Sequence, residues 1–216
     1  MNSERFVITI SHQFGSGGSA VGQKLSKHFS VPFIDRDILK NVAAKLHLEE
    51  ADIQGRDERL STFWEMLSRT VLVSDPLVTA TFKSYMVTDR ELFQLESEYI
   101  ERITNETSAV ILGRCARHIL RFHSRRISIL VHARLPDRIK RVGEMFQIGA
   151  AEAETFIENN DRERAAYIHN FTKQDWTDAR LYDLCINTSV LGLDPSAELV
   201  NTFVETKMKA VPAPIA

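Results

Sequence analysis

Two cysteines, Cys115 and Cys185, are all that 216 residues contain. Neither has a neighbour at metal-ligand spacing, and two isolated thiols read as reduced core or near-surface groups of a cytoplasmic protein, not as a disulfide. No apolar run approaches the roughly 18 residues of a membrane span, so no membrane partner is expected. Positive charge is also in short supply: 27 Lys and Arg against 29 Asp and Glu leave a net charge of −2. That balance gives no electrostatic footprint for a nucleic-acid polymer. The first strand-like segment starts at once, so no secretory signal is expected. No Gly-x-Ser-x-Gly elbow opens a helix, which disfavours a Ser-His-Asp hydrolase. Internal repeats and linkers are missing too. What remains is an ordinary globular composition, 44% apolar and 26% charged, over a length that suits one α/β domain across residues 1–216.

Glycine is scarce, nine residues in all, yet Gly15, Gly17 and Gly18 fall within four positions. The apolar run Phe6–Ile10 before them suits a buried parallel strand. After them Val21, Leu25 and His28 recur at helical spacing, and Phe29 closes that face. Strand, glycine-rich loop and helix make a phosphate-binding loop. Glycines let backbone N–H groups turn inward, and the helix N-terminus adds partial positive charge. The strict pattern asks for Gly, four residues, then Gly-Lys-Ser/Thr. In that register His12 stands in the first glycine slot and Gly18 in the lysine slot. Ser19 stands where the hydroxyl of a Mg2+ ligand belongs. Gly15, Ser16, Gly17, Gly18 and Ser19 are the candidate phosphate-binding residues, and a ligand-free glycine turn is the alternative. Replacing Gly17 by Val is expected to abolish nucleotide binding and leave the protein folded.

Farther on, Val31–Ile34 reads as a short strand ending in Asp35-Arg36-Asp37. Asp35 and Arg36 would stand at the carboxyl end of that strand, where open parallel sheets bind ligands; a capping turn with a surface ion pair is the alternative. Helices are expected over 38–48 and, without an assignable active-site residue, within 49–87. Thr88-Asp-Arg-Glu91 is a capping box, and its helix carries Leu92, Leu95, Tyr99, Ile100 and Ile103 on one face. Strands are expected at 109–112, just before Gly113-Arg114-Cys115, then at 127–131 and 182–187. A basic helix over 137–145 contains Arg138 and Arg141. A second, over 150–168, holds Asp161-Arg-Glu-Arg164. A polar connector follows over 170–180. Asp194-Pro195 predicts an N-cap and a last helix to about residue 209. Strands alternating with helices imply a mostly parallel sheet covered on both faces.

Several segments, in their order, resemble the cytidylate kinase-like family of P-loop proteins. They are Ile8–Gly18, Pro32–Asp37, Val110–Arg114, Asp137–Arg141, Asp161–Ala165 and Tyr182–Thr188. The resemblance implies a P-loop NTPase fold: a five-stranded parallel sheet flanked by helices, a helical acceptor-binding region over 49–108 and a lid over about 150–180. It implies transfer of the γ-phosphate of ATP, with Mg2+, to a small acceptor such as CMP or dCMP. Small-molecule substrates are then the expected partners, with assembly into a homo-oligomer left open. It makes Gly15–Ser19 the ATP phosphate loop and Arg114 a ligand of the acceptor phosphate, for which a planar guanidinium is suited. Arg162 and Arg164 match lid arginines that close on the transferring group. Arg138 and Arg141 match a basic helix near the ATP base, with a solvated face as the alternative for either.

The chain also departs from that pattern. True cytidylate kinases carry aspartate on both sides of the Gly-Arg pair, where this chain has Leu112 and Cys115. The first change weakens a Mg2+-ordering role for the strand, and the second puts cytosine recognition in doubt. Other members often place arginine where His12 and Ser19 stand. Phosphoryl transfer needs positioning and charge stabilisation more than covalent chemistry. Asp35 is the acidic candidate beside the acceptor, able to orient a hydroxyl or a Mg2+-bound water. Two rivals remain: a nucleotide-binding regulator with impaired transfer, and a kinase of a different small acceptor.

Overall fold

The structure is a computed structural model that describes residues 5–35 and 89–210. β1 (Val7–His12) leads through a five-residue loop to α1 (Gly18–Phe29) and β2 (Phe33–Ile34). α2 (Asp89–Glu106), β3 (Ala109–Leu112) and the single turn α3 (Ala116–Ile119) follow. Next come β4 (Arg126–His132), α4 (Leu135–Phe146) and the long α5 (Ala150–Thr172). A 3-10 turn at Ala179–Leu181 precedes β5 (Leu184–Asn187), the short α6 (Thr188–Leu191) and α7 (Leu193–Ala210).

The strands form one five-stranded sheet in the order β2-β3-β1-β4-β5, and each adjacent pair is parallel. The expected α/β fold is therefore the observed one. β1 lies at the centre, so the loop after it opens at the middle of the sheet's carboxyl edge, where strand order switches sides. The apolar runs that suggested buried strands are buried on both faces. Ile8 and Ile10 pack with Val21 and Leu25 of α1 and with Val200 and Val204 of α7. Val7 and Ile111 pack instead with Tyr99 and Ile100 of α2 and with Ile119. A smaller cluster joins Val142 of α4 to Ala153 and Ile157 of α5, and Phe14 of the loop packs onto it. That third cluster matters for function, because it docks the loop against two helices.

Several details differ from the sequence expectations. The helix expected over 150–168 runs on to Thr172, into the stretch read as a polar connector. The last helix starts at Leu193, which puts Asp194 inside its first turn, where it pairs with Lys24 at 2.8 Å. α3 and α6, each a single turn, were not expected. The helical runs expected over 38–48 and 49–87 lie outside the described residues, as does Arg36. No helix among the described residues is long and apolar enough to cross a membrane.

Candidate active site

The loop between β1 and α1 turns on left-handed residues: Gly15 has φ 75° and Gly17, which caps α1, has φ 85°. Glycine reaches these angles without the clash a side chain would bring. The first amides of α1 have no acceptor within their own helix, so Gly18 and Ser19 present N–H groups at a positive helix end. Ser16 is turned the other way. Its hydroxyl donates to the Val131 carbonyl at 3.1 Å and its amide to the Gln13 carbonyl at 3.1 Å. Ser16 thus fastens the loop to β4, and its carbonyl accepts from the Thr188 hydroxyl at 2.7 Å. Ser19 is exposed in the first turn of α1.

Glycine is also required by packing. A Cβ at position 17 would overlap Cδ2 of Leu193, and one at position 15 would lie 2.8 Å from Val142 Cγ2 and 3.1 Å from the Arg138 carbonyl. Valine at 17 therefore strains the backbone and presses on α7 in addition to crowding a phosphate. The expected loss of nucleotide binding in that variant is therefore read alongside a measurement of its own stability.

Arg138 and Arg141 of α4 both reach the loop. Arg138 is buried; its Nε donates to the Phe14 carbonyl at 2.7 Å and its Nη2 pairs with Asp161 of α5. Asp161 in turn accepts from the Phe14 amide at 2.9 Å. Arg141 Nη1 donates to the carbonyls of Gly15 at 3.3 Å and Ser16 at 3.2 Å and to the Thr188 hydroxyl at 3.0 Å. With the Gly15 and Ser16 carbonyls drawn toward Arg141 and the amides of Gln13, Phe14 and Ser16 already bonded, the loop leaves the Gly15 and Gly17 amides and the first amides of α1 as its donors. This is the arrangement an anion cradle needs.

The lid region is one continuous helix here, and that separates its two candidate arginines. Residues two apart on a helix do not share a face. Arg164 faces the loop: its Nη1 donates to the His12 carbonyl, lies 3.7 Å from Asp161 Oδ1, and its guanidinium lies 5.7 Å from the Trp176 ring. Arg162 is exposed and donates to Asn159 of its own helix.

One strand over, β3 ends beside β1, with Leu112 in register with Ile10 and the Gly113 amide bonded to the Ile10 carbonyl at 2.8 Å. Gly113, Arg114 and Cys115 then follow in left-handed conformation at φ 74°, 54° and 54°. For the two non-glycine residues that conformation costs about 1–2 kcal/mol each, and such strain gathers at functional sites. The turn sends Arg114 inward, where its side chain is only 9% exposed. Nη1 pairs with Glu96 of α2 at 3.2 Å, a carboxylate 1% exposed. Glu96 is thus the carboxylate that holds Arg114 in place. Tyr167 donates to Glu96 Oε2 at 3.0 Å, and the guanidinium lies 5.5 Å from the Tyr167 ring. Nε and Nη2 of Arg114 are buried with no hydrogen-bond partner among the described residues. Burial, and then Glu96, push the Cys115 thiol up to about 12, so it stays protonated and inert.

Asp35 stands at the carboxyl end of β2, two strands from the loop. Among the described residues no group of three His, Cys, Asp or Glu could hold a metal ion by itself. The residues present fit Mg2+ only as a companion of bound phosphate, with the Ser19 hydroxyl as the candidate protein ligand. They fit ATP phosphates better, through the amides at the start of α1.

Glu96, Asp161 and Tyr167 were missed as site residues. Asp161 was quoted in its motif without a role. Glu96 left a signal in the pattern: it falls on the apolar stripe of α2, four residues before Ile100 and three before Tyr99, where a carboxylate calls for a buried partner.

A parallel sheet with a glycine loop between its central strand and the first helix defines a P-loop α/β protein. The model of the cytidylate kinase-like family matches residues 7–190, and the chain belongs to that family. Among solved structures, an uncharacterised protein from Eubacterium ventriosum is 22% identical and superposes with a TM-score of 0.70, over 94% of this chain and 99% of that one. It shares the fold. A shikimate kinase from Bacteroides thetaiotaomicron is 13% identical with a TM-score of 0.46, over 93% of this chain and 98% of that one. A likeness that loose carries no argument about substrate. No curated protein matches the chain.

Proposed function

We propose that the chain is an ATP-dependent phosphotransferase acting on a small acceptor with an anionic group, and first on a nucleoside monophosphate such as CMP or dCMP. One observation carries the reading. Nε and Nη2 are the two donors on one edge of the Arg114 guanidinium, the pair that grips phosphate or carboxylate in a fork. Both are buried with no hydrogen-bond partner among the described residues, one strand from the phosphate loop. Buried donors without partners are rare and costly, about 1–3 kcal/mol each, and a bound phosphate or carboxylate would satisfy both.

Mg2+-ATP bound at the loop would supply the phosphoryl group and neutralise part of its charge. The chain supplies position. Gly15, Gly17, Gly18 and Ser19 hold the phosphates through amides, with Ser16 holding the loop in shape. Arg114 fixes the acceptor's anion while Glu96 and Tyr167 hold Arg114 in place. Arg164 lies at the end of β1, where charge on the transferring group needs a donor. Asp35, with Arg36, orients an acceptor hydroxyl from the end of β2. In this reading Arg138 and Arg141 build the loop and do not contact the base.

The second reading, a nucleotide-binding regulator, is favoured by Gly18 in the lysine slot. ADP formation measured with CMP, dCMP, UMP and no acceptor separates the two. Acceptor-dependent ADP is expected. Nucleotide binding without acceptor-dependent turnover would leave the regulator.

A further inference from the structure

Residues 12 and 18 depart from the strict loop pattern together, and the geometry ties the two departures to each other. A Cβ on Gly18 would overlap His12 Cβ and lie 2.6 Å from its Cγ and 3.1 Å from its Cδ2. The His12 side chain thus runs across Gly18, the residue that opens α1. No side chain fits at 18, lysine included, while His12 stays where it is. The space along which a lysine at 18 would start is filled from the strand side.

His12 is also the only side chain between residues 12 and 19 able to carry positive charge. Its Nδ1 is sealed from solvent and has no hydrogen-bond partner among the described residues. A ring held only for its bulk has no use for an unfilled nitrogen, and an aliphatic side chain would fill the volume without that cost. The surrounding charges come from two helices: Arg164 and Asp161 on α5, and Arg138 on α4. Burial first, then Arg164 and Arg138, hold His12 well below its ordinary pKa, so the ring is neutral with one N–H to donate.

We propose that His12 does the work of the missing loop lysine: its imidazole is the loop's own side-chain donor to the terminal phosphate oxygens of the nucleotide, supplied from the end of β1 instead of from the start of α1. The inference rests on the reading that this loop binds ATP.

Calorimetric titration with Mg2+-ATP, Mg2+-ADP and AMP tests it on the full chain and on His12→Ala, His12→Gly, Gly18→Lys and the double variant His12→Gly/Gly18→Lys. His12→Ala should weaken ATP by roughly ten-fold or more and AMP little. Gly18→Lys alone should lose ATP binding, and the double variant should bind ATP more tightly than His12→Gly. A His12→Ala protein that binds ATP like wild type overturns the inference. So does a double variant no better than His12→Gly. Where the lysine variants fail to fold, His12→Gln and His12→Leu decide. The amide should keep most of the ATP affinity and the aliphatic chain should not, and equal affinities overturn the proposal. A wild-type protein that binds no Mg2+-ATP removes the parent reading and this inference with it. Wild-type binding with an indifferent His12 removes this inference alone.

Discussion

At the loop after β1, arginine is turned into scaffold. Arg138 and Arg141 direct their donors at loop carbonyls, at Asp161 and at Thr188. One strand away Arg114 pairs with Glu96, and its Nε and Nη2 have no hydrogen-bond partner among the described residues. Arg138 and Arg114 are both buried and each has a carboxylate. The difference is satisfaction: Arg138 and Arg141 hold the protein to itself, whereas Arg114 has donors to spare among the described residues, which the proposed function gives to the acceptor. Basic residues near a phosphate site are therefore not a pool of interchangeable charge.

The largest expected effect breaks the scaffold side. Asp161→Ala leaves Arg138 buried without its counter-charge and strips the acceptor from the Phe14 amide, a loss of about 3–5 kcal/mol in stability. Urea denaturation of the ligand-free protein measures it, and the double variant Arg138→Met/Asp161→Leu should recover part of the loss. A loss under about 1 kcal/mol, as for an exposed pair, would mean that the loop is not clamped from α5.

The two arginines of α5 sharpen the comparison next. Arg164→Ala should lower kcat by about 10²–10³-fold with little change in ATP affinity, as for a donor lost from the transition state. Arg162→Ala should change kcat far less, because that side chain faces solvent. Equal effects from both would require α5 to rearrange on closure.

On the open side, Arg114→Ala should raise the acceptor KM by about 30- to 150-fold, the equivalent of roughly 2–3 kcal/mol for charged hydrogen bonds unmade. The ATP KM should stay near its wild-type value. Arg114→Lys keeps the charge and loses the fork, so it should fall between. An acceptor KM unchanged across all three proteins would make Arg114 a second scaffold arginine and erase the contrast.

The smallest effect is in pH. His12, His118 and His123 are all held below the ordinary histidine value, each by burial first. The unfolded chain takes up protons at about pH 6.5 while these folded rings do not, so stability falls as pH drops below that value. The slope is at most about 1.4 kcal/mol per pH unit for each ring until its folded pKa is reached. Thermal unfolding between pH 7.5 and 5.5 should show a shallower loss in His12→Gln than in wild type. Equal slopes would place the effect on His118 and His123 alone.

Much of the architecture was legible because parallel strands buried on two faces read as continuous apolar runs. Val7–Ile10, Ala109–Leu112 and Ile127–Val131 announced themselves in that way. The glycine loop was legible from its spacing, and Arg114 from its place after a buried strand. Partnership was not. Glu96, the partner of Arg114, arrives from a helix that only the tertiary fold brings close. The directions of Arg138 and Arg141 were hidden for the same reason. A basic helix face looks solvated until the neighbouring loop presents its carbonyls. The separation of Arg162 from Arg164 followed from helical period alone, once α5 proved continuous through both.

The interlock of His12 with Gly18 also constrains how this loop can change over generations. Lysine at 18 is sterically barred while histidine remains, and glycine at 12 alone removes the donor before lysine can replace it. On the proposed role of His12, each of these two single steps weakens phosphate binding, and only the paired change reaches the strict loop pattern. Lineages that carry this pair are expected to keep or lose it as a unit, so residues 12 and 18 should covary among relatives even though six residues separate them in the chain.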